Sequence, residues 1–196
     1  PVRVITNRSS GKMGYRIAEA AWLRGAEVTL ISGPSAEPDP TDIEVRRIET
    51  TAEMEQAVRE ALADADVLVM AAAPADFRPA DVATTKRPRQ DGGATIALEP
   101  TADILAGTRA ARRPGSIVVG FALETGDAAE KAAAKLRRKD LDLIVANDAL
   151  EQGAGFEHDT NRVTLLDREG NRIAVPFGTK ASVAEAILDA IEVRFG

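Results

Sequence analysis

The chain lacks cysteine, an excess of basic residues and any long apolar run. With no Cys among 196 residues, it can form neither disulfides nor thiolate metal sites, and it has no cysteine nucleophile. Its 25 Lys and Arg residues are outnumbered by 31 Asp and Glu residues, which argues against a sequence-independent grip on nucleic-acid phosphates. No apolar run approaches the roughly 20 residues that span a bilayer, and no signal-peptide pattern opens the chain. We therefore expect a soluble cytoplasmic protein that binds neither nucleic acid nor membranes.

The length and composition predict one domain. A chain of 196 residues that is 44% hydrophobic is long enough for one continuous core and too short for two. Internal repeats and low-complexity tracts are not apparent. The first residue is Pro1 rather than Met, so we expect the sequence to begin inside a longer polypeptide or to have been processed.

Short aliphatic runs alternate with segments of helical periodicity. Strands are predicted at residues 2–6, 28–32, 43–48, 67–72, 117–121 and 143–146, and helices at 14–24, 51–63, 103–112 and 127–139. A hairpin is predicted from 162–166 and 171–175, followed by an amphipathic helix over 180–193. The alternation predicts an α/β fold with a Rossmann-like, doubly wound, mostly parallel sheet, an added β-hairpin and a C-terminal helix. Residues 33–40 fit no element, and residues 86–93 are predicted to form a mobile flap.

Two strand ends carry the candidate chemistry. Ser9, Ser10 and Gly11 precede the first predicted helix, where a Ser can cap the first turn and free N–H groups favour an anion. A plain helix cap explains these residues equally well. Asn7 lies beside them and could orient an acyl oxygen, although a structural turn is the commoner role of such a residue. The segment matches neither the phosphate loop of NTPases nor the three-glycine dinucleotide fingerprint.

The second strand end follows residues 67–72. Small residues there let a ligand approach the backbone closely, and Asp76 can take ribose hydroxyls or help to hold a metal; a surface Asp that caps the next segment is the alternative. Lysines are candidate point charges for a triphosphate. Lys86 lies in the predicted flap, whereas Lys131, Lys135 and Lys139 recur every four residues on one helix face. A stripe of lysines at that spacing is more often a solvated face, and spacing alone favours that interpretation.

Several separated motifs together resemble one family. They are the segment 1–14, the Ala-Asp-Phe-Arg-Pro at 75–79, the Gly-Phe-Ala-Leu-Glu-Thr at 120–125, the Ala-Asn-Asp at 146–148, and Phe156 with Asp159 and Asn161. In this order and spacing they resemble bacterial phosphopantothenoylcysteine synthetase, the C-terminal half of a bifunctional coenzyme A biosynthesis enzyme. The resemblance covers essentially the whole chain.

The resemblance implies a CTP-dependent ligase that joins 4'-phosphopantothenate to L-cysteine and releases CMP and pyrophosphate. The reaction would pass through an acyl-cytidylate, because a carboxylate is too poor an electrophile for direct amide formation. Mg²⁺ would be bound chiefly through the CTP phosphates, without a metal site of the protein's own. The same ligation with ATP, or a noncatalytic nucleotide-binding module, are the alternatives. A nicotinamide-dependent reductase is disfavoured by the missing three-glycine turn.

The resemblance also assigns roles to residues. Asn7 matches the asparagine that holds the acyl-cytidylate, and Lys86 matches the flap lysine that contacts the nucleotide phosphates; these are the predicted catalytic residues. Ser10 and Gly11 complete the predicted substrate site with Asn7, whereas Lys131 acquires no role. The predicted nucleotide-binding residues are Met70, Ala71, Ala72, Asp76, Lys86, Ala102, Asp103, Ile104, Leu105, Phe121, Lys135 and Lys139.

The chain departs from the family at three places. Pro74 stands where the family usually has Val, which removes a backbone donor near the base. The flap reads Lys86-Arg87-Pro88-Arg89, so only its first lysine transfers. The family has a strand and a glycine-rich loop before the residue that matches Pro1, and we therefore expect a single ligase domain, residues 1–196, that lacks this strand and loop.

Association is expected at two levels. Family members are homodimers, and the apolar alternation of Val163, Leu165, Ile173 and Val175 predicts a hairpin that contributes to the interface. A decarboxylase domain is expected to be fused upstream, as in the bifunctional enzyme.

Overall fold

A computed structural model describes residues 4–82, 85, 95–124, 128–148 and 159–195 of the chain. Within these residues no helix is both long enough and apolar enough to cross a membrane. The elements in chain order are α1 (Lys12–Leu23), β1 (Thr29–Ser32), β2 (Glu44–Arg47), α2 (Thr51–Ala61), β3 (Val67–Met70), β4 (Phe77–Pro79), β5 (Leu98–Pro100), α3 (Ile104–Gly107), a 3₁₀ turn (Arg109–Ala111), β6 (Ile117–Glu124), α4 (Ala128–Lys139), β7 (Leu143–Asp148), β8 (Thr160–Asp167), β9 (Arg172–Thr179) and α5 (Lys180–Glu192).

The central sheet has the strand order β3-β6-β7-β8-β9. Strands β3, β6 and β7 run parallel, and the β8–β9 hairpin adds two antiparallel strands at one side. Side chains on a strand alternate between the two faces of a sheet. Val119 and Val145 accordingly pack against α1 and α5, while their neighbours Val118 and Ile144 pack against α2, α3 and α4. Helices therefore cover both faces, and the predicted α/β class with its added hairpin and C-terminal helix is confirmed.

Two small sheets accompany the central one. Strands β1 and β2 form a parallel pair, and β4 and β5 form an antiparallel pair in which Phe77 faces Pro100. The β4–β5 pair, here called the β-arm, was not predicted, because three-residue strands that contain proline carry little periodic signal. An ion pair between Arg78 and Glu99, 2.7 Å apart, joins its strands.

Helix boundaries follow local capping chemistry. At the start of α2 the Thr50 hydroxyl accepts from the Glu53 N–H at 3.2 Å, and the Glu53 carboxylate accepts from the Thr50 N–H at 3.0 Å. This capping box fixes the first turn. Helices α1 and α5 are joined by Arg24, which contacts Glu185 and lies 2.7 Å from Asp189.

Two predicted elements were wrong. Residues 4–6 form no strand in the structure; Val4 is 74% and Ile5 is 46% exposed, so apolar character there does not reflect burial in a sheet. The helix predicted over 103–112 ends at Gly107. The Thr108 hydroxyl donates to the Ile104 carbonyl at 2.7 Å, and the chain continues in a short 3₁₀ turn, because Gly and Thr are weak helix formers.

The hairpin is part of the monomer's core. Strand β8 pairs with β7, and Val163, Leu165 and Val175 are buried in the cluster that contains α5. Only Ile173, at 53% exposure, faces outward among the four alternating apolar residues. The reason given above for a dimer interface at the hairpin is therefore wrong, and the homodimer itself stays a prediction.

Candidate active site

One cavity of about 600 Å³ lies at the carboxyl end of β3, between the starts of α1, α3 and α5. It is the position where open α/β sheets bind ligands. Every predicted site residue that the structure describes lines it: Asn7, Ser10, Gly11, Met70, Ala71, Ala72, Asp76, Ala102, Asp103, Ile104, Leu105, Phe121, Lys135 and Lys139. The predicted catalytic residue Lys86 lies outside the described residues.

The first turn of α1 opens into the cavity. Gly11 is the residue before the helix and has φ 78°, a left-handed conformation that favours glycine. A Cβ at this position would also come within 3.2 Å of the Ser35 hydroxyl. The helix start has no side-chain cap hydrogen bond, and the Lys12 N–H makes a long 3.4 Å contact with the Ser10 hydroxyl. The cap position is occupied by Gly11 rather than by a Ser, so the alternative of a plain Ser cap is not supported, and a first turn without a side-chain cap suits an anion.

Asn7 joins the two segments that were predicted to carry the chemistry, although only the second of them follows a strand. Its Nδ2 donates to the Pro74 carbonyl at 3.0 Å and to the Ala73 carbonyl at 3.3 Å. The amide nitrogen is therefore engaged with the segment after β3. The side-chain oxygen has no donor among the described residues and remains able to accept a hydrogen bond.

The segment after β3 is fixed from the other side by Thr101. Its hydroxyl donates to the Ala75 carbonyl at 2.6 Å, and its N–H donates to the Asp76 carbonyl at 2.9 Å. These bonds hold an exposed Asp76 carboxylate at the cavity wall. The small Ala71 and Ala72 precede it, so a ligand can approach the backbone there.

Two lysines of α4 also line the cavity. Lys135 donates to the Phe121 carbonyl at 2.7 Å, and Lys139 Nζ lies 3.1 Å from Asp103 Oδ1. Burial disfavours the Asp103 carboxylate, but the Lys139 ammonium and the Ala106 N–H outweigh that effect and lower the pKa of Asp103. Lys131 does not belong to the cavity lining.

Sequence reasoning missed a polar group at the other end of the cavity. Asn147 donates to the Asn161 Oδ1 at 3.1 Å, and Lys12 Nζ lies 2.5 Å from Asp159 Oδ1. Lys180, only 6% exposed, completes the lining there. Asn147 lies in the Ala-Asn-Asp motif at 146–148, and Asn161 lies in the family motif with Phe156 and Asp159, so both could have been assigned to the site. None of the family motifs or lysine spacings includes Lys180, so its place in the lining was not predicted.

The fold and cavity define a class: an α/β domain in which a helix start without a side-chain cap and several lysines line one cavity at a strand end. Within that class, the chain belongs to the family described as the DNA/pantothenate metabolism flavoprotein C-terminal domain, whose model matches residues 1–194.

Relatives of known name agree with this family. The chain is 48% identical over 202 residues to the coenzyme A biosynthesis bifunctional protein CoaBC of Mycobacterium tuberculosis, covering 97% of this chain and 48% of that protein. It is 44% identical over 192 residues to a cysteine/cysteine sulfinic acid decarboxylase from an unknown prokaryotic organism, covering 97% and 54%. The chain thus spans about half the length of the curated relatives it matches.

Solved structures share the fold. A crystal structure of the C-terminal domain of CoaBC superposes with a TM-score of 0.83 at 39% identity, covering 100% of this chain and 88% of that one. A Cab2 mutant in complex with phosphopantothenate-cysteine has a TM-score of 0.74 at 16% identity, covering 98% and 80%. At that identity the second likeness concerns the fold alone.

Proposed function

We propose that this domain is a phosphopantothenate–cysteine ligase of coenzyme A biosynthesis that uses CTP. One observation carries the proposal: the Asn7 amide, the uncapped start of α1 and the lysines of α4 converge on a single cavity. The relative named as a coenzyme A biosynthesis bifunctional protein supports the pathway. The solved C-terminal domain of that protein, which is 39% identical to this chain, supports the assignment to its C-terminal half.

The first step would activate the substrate carboxylate. A carboxylate oxygen of 4'-phosphopantothenate attacks the α-phosphorus of CTP, the new O–P bond forms, and the bond to the pyrophosphate oxygen breaks. The protein need only align the reactants and stabilise the charge that collects on the phosphate oxygens. Lys135 and Lys139 supply positive charge at one wall, and the helix start supplies N–H donors at the other. No protein nucleophile is required.

The second step would form the amide. The cysteine amine attacks the acyl carbon of the acyl-cytidylate, and the CMP phosphate leaves with the bonding electrons. Asn7 is the residue proposed to hold this intermediate. Because its amide nitrogen is engaged with Ala73 and Pro74, its oxygen is the atom that can accept a hydrogen bond from the attacking amine. The proton that the amine loses as the amide forms goes to solvent.

Magnesium fits this cavity only as a companion of the nucleotide. Mg²⁺ in such sites is held by one or two carboxylates together with substrate phosphates. Asp76 offers one exposed carboxylate at the wall, whereas the Asp103 carboxylate is engaged by Lys139 and the start of α3. When bound, the ion would offset the negative charge of the triphosphate. Asp76 is therefore the residue proposed to contact it.

Pyrophosphate release tests the function. The protein is incubated with 4'-phosphopantothenate and either CTP or ATP, with and without cysteine, and pyrophosphate is measured. Release that needs phosphopantothenate and CTP, and proceeds without cysteine, supports the two-step route. Equal pyrophosphate release with ATP would contradict the proposed dependence on CTP. Binding of CTP without any release of pyrophosphate would favour a noncatalytic nucleotide-binding module.

The curated relatives are about twice as long as this chain, which suggests what the rest of the polypeptide contains. Since the chain spans about half of them, we propose a decarboxylase domain fused upstream in the parent polypeptide. A second copy of this domain is the proposed partner in a homodimer, and the cytoplasm is the proposed location. Decarboxylation by this domain itself is not favoured by any of its described contacts.

A further inference from the structure

Lys180 occupies an unfavourable position that no contact within the described chain explains. It is the first residue of α5, where the helix dipole disfavours a cation. The residue is only 6% exposed, and burial is the largest of the causes that lower its pKa below the ordinary value, followed by the nearby Lys12 ammonium. Among the described residues no acceptor atom lies within hydrogen-bond distance of its Nζ.

The carboxylates nearest to Lys180 are engaged elsewhere. Asp159 lies 2.5 Å from Lys12, and Glu37 lies 3.5 Å from Arg16. These two carboxylates act on Lys180 only at longer range. Arg16 also pairs with Glu19, 2.6 Å away, so Asp159 and Glu37 each already have a cation, and Lys180 is left without an ion-pair partner among the described residues. Its side chain belongs to the cavity lining.

The helix start of α1 adds to the same electrostatic field. Lys12 is the first residue of α1 and Lys180 the first residue of α5, and both line the cavity. The first turn of α1 has no side-chain cap, so its N–H groups point to the same end. A buried cation, a partly buried cation and a free helix start are together the donors that a phosphate group requires.

We propose that Lys180, with Lys12 and the first turn of α1, forms a phosphate-binding subsite at the end of the cavity opposite Lys135 and Lys139. This proposal rests on the proposed function for the identity of its ligand. Two sources of phosphate fit the chemistry: the phosphate monoester of 4'-phosphopantothenate and the terminal phosphates of CTP. A bound phosphate would offset the cost of burying the Lys180 charge. Lys180 is a binding residue here and takes no part in bond making.

Direct binding of inorganic phosphate tests the subsite without any turnover. Titration calorimetry is done with the wild type, with Lys180→Met, which keeps the side-chain length without the charge, and with Lys131→Met as a control on an exposed lysine outside the cavity. We expect roughly 10- to 100-fold weaker phosphate binding in Lys180→Met, the loss of one charge-assisted hydrogen bond. Lys131→Met should bind phosphate as the wild type does.

Substrate titrations identify the source of the phosphate. If the monoester binds there, Lys180→Met loses affinity for 4'-phosphopantothenate but not for pantothenate or CTP. If the nucleotide binds there, the variant loses affinity for CTP but not for CMP or 4'-phosphopantothenate. Unchanged affinity of Lys180→Met for all of these and for inorganic phosphate would overturn the proposal and leave Lys180 as a space-filling side chain.

Folding and function are separated by two further measurements. Thermal unfolding without ligand shows whether Lys180→Met is folded. If it is not folded, Lys12→Met tests the same subsite at a partly exposed position. That variant must then weaken phosphate binding for the proposal to stand. A wild type that binds phosphate at Lys180 but never releases pyrophosphate would contradict the ligase function alone.

Discussion

Lys139 Nζ lies 3.1 Å from Asp103 Oδ1, so the last turn of α4 is joined to the residue that caps α3. Asp103 Oδ1 also accepts from the Ala106 N–H at 3.2 Å. One carboxylate thereby fixes two elements that line the same wall of the cavity. The relationship gives the lysine a structural role in addition to the proposed contact with the nucleotide.

Replacing Asp103 should separate its two contacts, the cap on α3 and the ion pair with Lys139. We expect Asp103→Ala to lower the free energy of unfolding by about 1 kcal/mol, the usual cost of losing a helix cap. Asp103→Asn keeps an acceptor for the cap and loses only a half-exposed ion pair, so its effect should be smaller, about 0.2–1 kcal/mol. Urea denaturation of both variants measures the difference.

The pH dependence of the stability follows from the direction in which the pKa of Asp103 is shifted. The folded-state pKa of Asp103 lies below its ordinary value of 3.8, so its ionised form stabilises the fold above that pH. The stability difference between the wild type and Asp103→Asn should be constant near neutral pH and shrink as the pH falls below 3.8. A difference that grows in acid would contradict the ion pair.

Asn7→Ala should separate the two half-reactions. The variant loses the bonds to Ala73 and Pro74 and the oxygen proposed to meet the amine. We expect it to release pyrophosphate and accumulate the acyl-cytidylate, detected by acid quench and mass spectrometry. Equal loss of both half-reactions would reject this role for Asn7.

Lys86→Gln should impair the first half-reaction. Lys86 is predicted to contact the nucleotide phosphates, so loss of its charge should slow pyrophosphate release about 10-fold or more, since one charge-assisted hydrogen bond would be lost. Rapid-quench kinetics with CTP and 4'-phosphopantothenate measure this step. Arg89→Gln, in the same segment but at a position to which the resemblance transfers no role, is the matched control. A burst of wild-type amplitude and rate in Lys86→Gln would remove it from the mechanism.

Lys180→Met should stabilise the protein without ligand. Removing a buried cation that has no described hydrogen-bond partner is expected to raise the free energy of unfolding by roughly 1–3 kcal/mol at pH 7. Lys12, Asp159 and Glu37 are the charged groups that act on it. Because its folded-state pKa lies below 10.5, the unfolded chain binds the proton more tightly, and wild-type stability should rise with pH toward that value. The difference in the free energy of unfolding between Lys180→Met and the wild type should therefore become smaller in alkaline solution.

The homodimer should depend on the β-arm rather than on the hairpin. A two-stranded sheet is marginally stable by itself, and Phe77 and Leu98 on the β-arm are 52% and 47% exposed. We expect Leu98→Glu to produce monomers in sedimentation at micromolar concentration. Ile173→Glu, at an equally exposed position of the hairpin, should leave the dimer intact. A monomeric wild type would contradict the prediction.

The parts of the fold that were predicted correctly are those with strong local signals. Helix α2 begins at a capping box, and β6 and β7 are continuous aliphatic runs, as strands buried on both faces require. The errors lie where local and tertiary preferences differ. Val4 and Ile5 are aliphatic yet exposed. The apolar alternation of the hairpin reflects burial under α5 rather than a dimer interface.

The site was predictable to the extent that motifs mark it. Asn7, Asp76 and Phe121 lie in recognisable segments, and the structure brings all three to one cavity. Lys180 could not be found in this way, because its meaning depends on burial and on the distant Lys12 and Asp159. Such a relationship arises only from the tertiary structure.

The contact between Lys12 and Asp159 joins positions that are 147 residues apart, and α1 packs beside α5 in the same cluster. During synthesis, the part of the cavity that Lys12 and Lys180 line therefore cannot assemble until α5 has emerged from the ribosome. A nascent chain that has not yet added α5 would lack Lys180 and would expose the apolar side chains of β8 and β9 that α5 covers.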